Sequence, residues 1–213
     1  MNLVLASNSP RRRQLLALGG WEFNILPVAV DEEPLPGENP QAYVLRLAVS
    51  KARAAAIQAG SQDVIVGSDT AVVDGETILG KPADNSEAEC MLRCLRGRVH
   101  QVYTGLAIVY GAGDELLTDI CRSDVYMRDY SDNEMLAYIE SGDPLDKAGA
   151  YAIQHEGFHP VENYQGCFAN VMGLPVCHLA RLLGEIGVKP QYDIRLECQV
   201  TLGVGCSIYP LGI

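Results

Sequence analysis

The sequence predicts a mixed α/β fold, a twisted sheet flanked by helices. Three observations point to it. Short apolar runs that read as strands alternate with segments carrying helix start and stop signals. Two long runs, Val99 to Tyr110 and Leu116 to Met127, are joined by Gly111-Ala-Gly-Asp and read as a hairpin. The chain has 213 residues with 48% hydrophobic content, enough for one large domain or two lobes.

In order, Leu3 to Ala6 reads as a buried strand, Ser9 as a helix cap and Pro10 as the first helical residue. Arg11, Arg12 and Arg13 follow at the positive end of that helix, where cations are unfavourable unless an anion offsets them. An oligophosphate held by backbone N–H groups and guanidinium forks fits this pattern, and so does an ordinary solvated basic turn. Gly19-Gly20 stops the helix, and Phe23 to Val30 reads as a second strand ending at the acids Asp31, Glu32 and Glu33. After a Pro/Gly-rich loop, Asn39-Pro40 opens a helix with Tyr43, Val44, Leu47, Ala48 and Ala55 on its apolar face. Lys51 falls in that buried register, either snorkelling or pointing into a cleft.

The next stretch is a strand interrupted by Gly67-Ser-Asp-Thr. A carboxylate in a strand interior needs a partner, so Asp69 pairs with a cation or faces a cleft and a metal. Asp74-Gly75 turns the chain back towards Lys81, so the two side chains can converge on one site or form a structural pair. Ser86 with Glu89, and Ser131 with Glu134, read as capping boxes. Asp146, Lys147 and Gln154 form a third polar group, Gly166 to Val171 reads as another strand, and Val176 to Ile186 as a helix ended by Gly187. Residues 189–213 carry β-prone runs without a polar cluster, and no function is assigned to them.

The seven scattered cysteines lack the pairing of a secreted disulfide framework, and free buried thiols are expected. Neither Cys90 with Cys94 nor His155 with His159 is expected to bind zinc: the first pair has no histidines in register, and Gly157 and Pro160 argue against a helix at the second. The single early apolar run is short and precedes its charges, and no stretch approaches a membrane span, so a cytoplasmic protein without membrane contact is expected. A net charge of −11 argues against nucleic-acid binding.

The motifs Ser7-Asn-Ser-Pro-Arg-Arg, Val30-Asp-Glu, Lys51-Ala-Arg, Gly67-Ser-Asp-Thr, Gly80-Lys-Pro, Asp146-Lys-Ala-Gly-Ala-Tyr and Gly173-Leu-Pro occur in that order. In this the chain resembles the Maf family of nucleoside triphosphate pyrophosphatases, over residues 2–188. The resemblance implies a fold of the inosine-triphosphatase-like kind, with two lobes around a central cleft. It also implies metal-dependent hydrolysis of a nucleotide to its monophosphate and pyrophosphate, with Mg²⁺, Mn²⁺ or Co²⁺ as cofactor and a homodimer left open. The domain would span 1–188, with 189–213 an extension whose removal should leave catalysis largely intact.

Carried over by resemblance, Asp69 is the general base, and Glu32 with Asp69 are the carboxylates near the metal. Substrate-binding positions are Ser7, Ser9, Arg11, Arg12, Lys51, Thr70, Lys81, Lys147 and Gln154. Arg11, Thr70 and Gln154 match the branch acting on dTTP and UTP. A glutamine amide offers the donor and acceptor that a uracil or thymine edge requires. The segment from His155 to Glu162 departs from the family's usual Gly-rich link. Purine substrates such as 7-methyl-GTP, and a nucleotide-binding division regulator with little turnover, are the alternatives.

Overall fold

The computed structural model describes residues 2–206. Seven strands form one mixed sheet: β1 (Leu3–Leu5), β2 (Phe23–Ile25), β3 (Val64–Asp74), β4 (Thr77–Leu79), β5 (Val99–Tyr110), β6 (Glu115–Met127) and β7 (Val161–Gln165). Their order is β2-β1-β3-β5-β6-β7, with β4 on β3. β1 runs parallel to β2 and β3, and every other pair is antiparallel. The helices are α1 (Pro10–Ala17), α2 (Pro40–Ala56), α3 (Asn85–Leu95), α4 (Asp132–Glu140), α5 (Phe168–Val171), α6 (Val176–Glu185) and α7 (Ile194–Leu202).

The long central strand β3 explains the layout. Strand alternation sends Ile65, Gly67, Asp69, Ala71 and Val73 to one face and Val64, Val66, Ser68, Thr70 and Val72 to the other. On the first face lies α2, which comes very close: a Cβ on Gly67 would stand 2.2 Å from the carbonyl oxygen of Ala48, and one on Gly105 would stand 2.5 Å from that of Val44. Only glycine permits that approach. The second face carries two apolar clusters end to end. Val64, Val66, Leu106 and Ile108 pack with α1, α6 and α7, while Val72 and Val102 pack with α3 and α4. Between the clusters runs a seam of buried polar side chains, Ser68, Thr104, Ser123 and Asn170.

One edge of β3 is filled by β5 from Ile65 to Val73. The other pairs with β1 at Val64 to Val66 and with β4 at Val72 to Asp74. Among the described residues no strand covers the stretch between, 67–71, which leaves a gap along this edge of β3.

Several expected elements shift. The second strand ends at Ile25 rather than Val30, because Leu26 donates the last bond, to the carbonyl of Leu5, and Pro27 has no N–H to continue the ladder. The cap of α3 is Asp84 rather than Ser86: Asp84 accepts from the N–H of Glu87, and Glu87 accepts from the N–H of Ala83. The cap thus lies two residues earlier than expected, the Glu87 carboxylate reaching back to the residue before the cap rather than to the cap itself, and Glu89 instead pairs with Arg93. Residues 166–171 are not a strand. Gly166 has φ +108°, Cys167 accepts from the N–H of Asn170, and α5 begins there. The strand is β7 just before it, whose largely exposed VENYQ sequence carries little apolar alternation.

As far as residue 206 the tail forms a helix rather than β runs. Asp193 caps α7, Ile194 and Cys198 are buried in the cluster that holds Leu16 and Trp21, and the Trp21 indole N–H donates to the carbonyl of Lys189 at 3.0 Å. The last part of the expected extension, 207–213, lies outside the described residues. The capping box of Ser131 and Glu134 forms, as do the glycine stops at Gly20, Gly142 and Gly187, each with positive φ.

Candidate active site

The centre of the candidate site is an ion triad at the gap in β3. Lys51, on the α2 face that closes over Gly67, is 8% exposed, and its ammonium donates to Oδ1 of Asp69 at 2.6 Å. The same ammonium lies 2.6 Å from Oε1 of Glu32, which comes from the loop after β2. One cation therefore holds two carboxylates together. Burial alone would raise the pKa of Glu32. The hydrogen bond and charge of Lys51, with the charges of Lys81 and Arg12, outweigh it and hold the carboxyl below its ordinary value. Lys81 is exposed on the arm after β4, close enough for this influence, so the hairpin turned at Gly75, with φ +64°, brings it back as its position in sequence suggested.

Tyr43 is a member of this group that the sequence reading placed only on an apolar helix face. Its hydroxyl donates to the carbonyl of Glu32 at 2.9 Å. Burial first, then the charges of Asp69 and Glu32, pushes its pKa up to about 12. Its position eight residues before Lys51, on the same side of the helix about two turns away, was the only signal, and an amphipathic helix offers many such neighbours.

Arg12 approaches the gap from the other face of β3. Ser9 caps α1 by accepting from the N–H of Arg12 at 3.4 Å, and Ser7 accepts from the N–H of Ser9. The guanidinium turns inward, donating from Nε to the carbonyl of Gly173 at 2.9 Å, from Nη2 to Thr70 at 3.2 Å and from Nη1 to Ser7 at 3.4 Å. All three acceptors are neutral, and they engage three of its five N–H groups, so the charge is not spent on a bonded carboxylate. Burial lowers the pKa of Arg12, with the charge of Arg11 adding to the shift and those of Asp69 and Glu32 opposing it. Gly173 has φ +110°, and Ser68 also donates to its carbonyl.

Behind Arg12 the polar seam continues. Thr70 and Thr104 share a hydrogen bond of 3.0 Å, Thr104 donates to the carbonyl of Asn170, and the Asn170 amide donates to Ser123 and to the carbonyl of Val102. Thr104, Asn170 and Ser123 were not singled out in the sequence, because a lone polar residue in an apolar run is common.

Two expected positions sit apart from the triad. Lys147 is buried, but its ammonium pairs with acids of its own loop, Asp146 at 2.6 Å and Asp143 at 3.0 Å. That loop does dock beside Lys81, with the N–H of Gly149 donating to the carbonyl of Gly80 at 3.0 Å. Gln154 is exposed in the turn that follows, and among the described residues no hydrogen bond joins it to the triad. Arg11 is half-buried beside Arg12.

Residues 2–186 match the family model described as Maf-like protein. A dTTP/UTP pyrophosphatase of Geotalea uraniireducens is 44% identical over 186 residues, covering 87% of this chain and 95% of that protein. One from Dehalococcoides mccartyi is 39% identical over 213 residues, covering 99% of this chain and 93% of its own length. Among solved structures, a HAM1 protein of Coxiella burnetii superposes with a TM-score of 0.51 at 15% identity, covering 87% of this chain and 99% of its own, which speaks for the fold alone. On the extent of the family match and the identity to these relatives, the chain belongs to the Maf-like protein family.

Proposed function

We propose that the chain hydrolyses nucleoside triphosphates, dTTP and UTP before others, to the monophosphate and pyrophosphate. The observation that carries this reading is the Lys51 ammonium gripping both Asp69 and Glu32 at the open edge of β3, with Arg12 facing the same gap. The relatives named as dTTP/UTP pyrophosphatases support it.

In this reading Asp69 orients the attacking water towards the α-phosphorus and accepts its proton. Arg11, Arg12, Lys51 and Lys81 bind the phosphate oxygens, and Ser7 and Ser9 shape the turn that presents Arg12. Thr70 steadies Arg12, and Gln154 meets the base, with Lys147 on the loop that leads to it. The donor set suits a hard divalent cation such as Mg²⁺, Mn²⁺ or Co²⁺. Asp69 and Glu32 are carboxylates already held within reach of one another, and such ions often take one or two carboxylates, with substrate phosphates and water completing the shell. The cation would supply positive charge where negative charge builds on the phosphate oxygens. Among the described residues no group of three or more His, Cys, Asp or Glu side chains is placed to hold a metal ion by itself. Residues 1–188 form the catalytic domain in this scheme, and 189–213 an extension, of which Ile194 and Cys198 pack against the domain's core.

No described helix is long and apolar enough to cross a membrane. The test is a nucleotide panel with each of the three cations. A kcat/KM for dTTP and UTP at least about tenfold above that for 7-methyl-GTP supports the reading, as one to two base hydrogen bonds would give. Equal or better turnover of 7-methyl-GTP overturns the base assignment.

A further inference from the structure

Of the two carboxylates in the ion triad, Asp69 stands on β3, whereas Glu32 is carried by a loop between β2 and α2 that has no regular structure of its own. That loop needs an anchor. Leu26 and Val28 still pack against the cluster that contains Ala48 and Ala52, but residues 31–37 are exposed. Among the described residues, no backbone hydrogen bond ties 31–37 to a strand or a helix.

The hold comes from side chains of α2. The Tyr43 hydroxyl donates to the carbonyl of Glu32 at 2.9 Å, Lys51 takes the Glu32 carboxylate, and between them Arg46 reaches two further points of the loop. Its Nε donates to Oε1 of Glu38 at 2.6 Å, while Nη2 donates to Oε2 of Glu38 at 2.7 Å and to the carbonyl of Glu33 at 3.0 Å. This is a fork onto a carboxylate, the pairing in which arginine fixes direction as well as charge.

Glu38 is in turn built into the loop. Its Oε2 also accepts from the N–H of Leu35, and its own N–H donates to the carbonyl of Leu35, so residues 35–38 close into a small turn that Arg46 grips from α2. The Glu38 side chain is 7% exposed and that of Glu32 is 52% exposed. Their tasks differ accordingly: Glu38 is the anchored acid, and Glu32 the one left open beside Asp69. The Arg46 guanidinium also lies over the Tyr43 ring, 5.6 Å from its centroid, so the two donors brace each other.

We propose, resting on the reading of Glu32 as a carboxylate near the metal, that Arg46 paired with Glu38 is a positioning residue for Glu32. The fork pins the loop to α2 on the far side of Glu32 from β2, and the Glu32 carboxylate is thereby kept beside Asp69, where a divalent cation would need it. Without the fork the loop is held at Glu32 alone. Groups that orient a metal ligand from behind it change metal affinity by about 10- to 100-fold, and one acting through a loop backbone belongs at the low end of that range.

Two measurements on the full chain test this, with Arg46→Gln, Arg46→Lys and Glu38→Gln as variants. In hydrogen exchange without metal or nucleotide, peptides covering 31–38 should exchange faster in Arg46→Gln, while those covering β3 and β5 stay as they were. In turnover of saturating dTTP, the free Mn²⁺ concentration for half-maximal rate should rise about tenfold in Arg46→Gln, with kcat at saturating Mn²⁺ within about threefold of the unmutated chain. A lysine reaches the carboxylate but cannot form the fork, so Arg46→Lys should fall between the two. A loosened loop with an unchanged Mn²⁺ requirement makes Arg46 a structural brace only and overturns the proposal. So does a raised Mn²⁺ requirement without faster exchange at 31–38. Glu38→Gln leaves α2 untouched and should show the same pattern, so it decides the matter if Arg46→Gln does not fold. Glu32→Gln separates this proposal from the reading beneath it. If that variant has the ordinary Mn²⁺ requirement, the reading of Glu32 fails and the proposal with it; if the requirement rises in Glu32→Gln but not in Arg46→Gln, the reading stands and the proposal alone falls.

Discussion

The ammonium of Lys51 lies 2.6 Å from Oδ1 of Asp69, a helix-to-strand contact that exists because Gly67 and Gly105 let α2 settle onto the sheet. Both side chains are nearly buried, at 11% and 10% exposed. Removing one partner of such a pair leaves an uncompensated charge. Lys51→Met should therefore cost about 3 kcal/mol in guanidinium unfolding, and Asp69→Asn in the same background should restore much of it. Unchanged stability in Lys51→Met would show that water already compensates Asp69.

Asp69→Asn alone preserves shape but removes the base. The expected loss in kcat is about 10²- to 10⁴-fold, with nucleotide still bound by calorimetry. Near-normal turnover would remove Asp69 from the chemistry.

Thr70 is the link between Arg12 and the buried seam. Thr70→Val keeps the volume and deletes the hydroxyl, and with it the hydrogen bonds to Arg12 and Thr104; losing the support of Arg12, at about 1 kcal/mol for that one bond, should lower kcat/KM about fivefold or somewhat more. If kcat/KM is unchanged, Gly173 and Ser7 suffice to seat the guanidinium.

Much of the layout was legible because local signals were strong. The Ser9-Pro10 and Asn39-Pro40 starts, the Ser131–Glu134 box and the glycine stops are short-range chemistry that the fold simply kept. Asp69 stood out because a carboxylate inside an apolar strand demands a partner, and Lys51 because a cation interrupted an apolar register. Harder to read was what depends on distant packing. The polar face of β7 hid a strand, and the helix α7 emerged from β-prone residues because Ile194 and Cys198 found a place against Trp21 and Leu16. The carbonyl of Gly173 as an anchor for Arg12 spans 161 residues of sequence and leaves no local trace.

His100 predicts how stability depends on pH. It is fully buried, its Nε2 bonds the Tyr151 hydroxyl at 2.7 Å, and its Nδ1 has no hydrogen-bond partner among the described residues. Burial lowers its pKa to about 4, with the charge of Arg98 assisting and that of Asp74 opposing. The folded state thus favours the neutral ring, while the unfolded chain takes up a proton near pH 6.5. Stability should be intact above about pH 6.5 and fall by about 3 kcal/mol as pH drops towards 4, because the unfolded state binds more protons in that window. His100→Gln should flatten this slope in urea unfolding followed across pH. An unchanged slope would assign the effect to other groups.

The most direct test of the proposed reaction is the identity of the first phosphorus product from dTTP with Mg²⁺, Mn²⁺ or Co²⁺, followed by ³¹P NMR. Attack at the α-phosphorus, guided by Asp69 beside Glu32 and Lys51, predicts thymidine monophosphate and pyrophosphate in equal amounts from the earliest time points. Orthophosphate and thymidine diphosphate appearing first would contradict it.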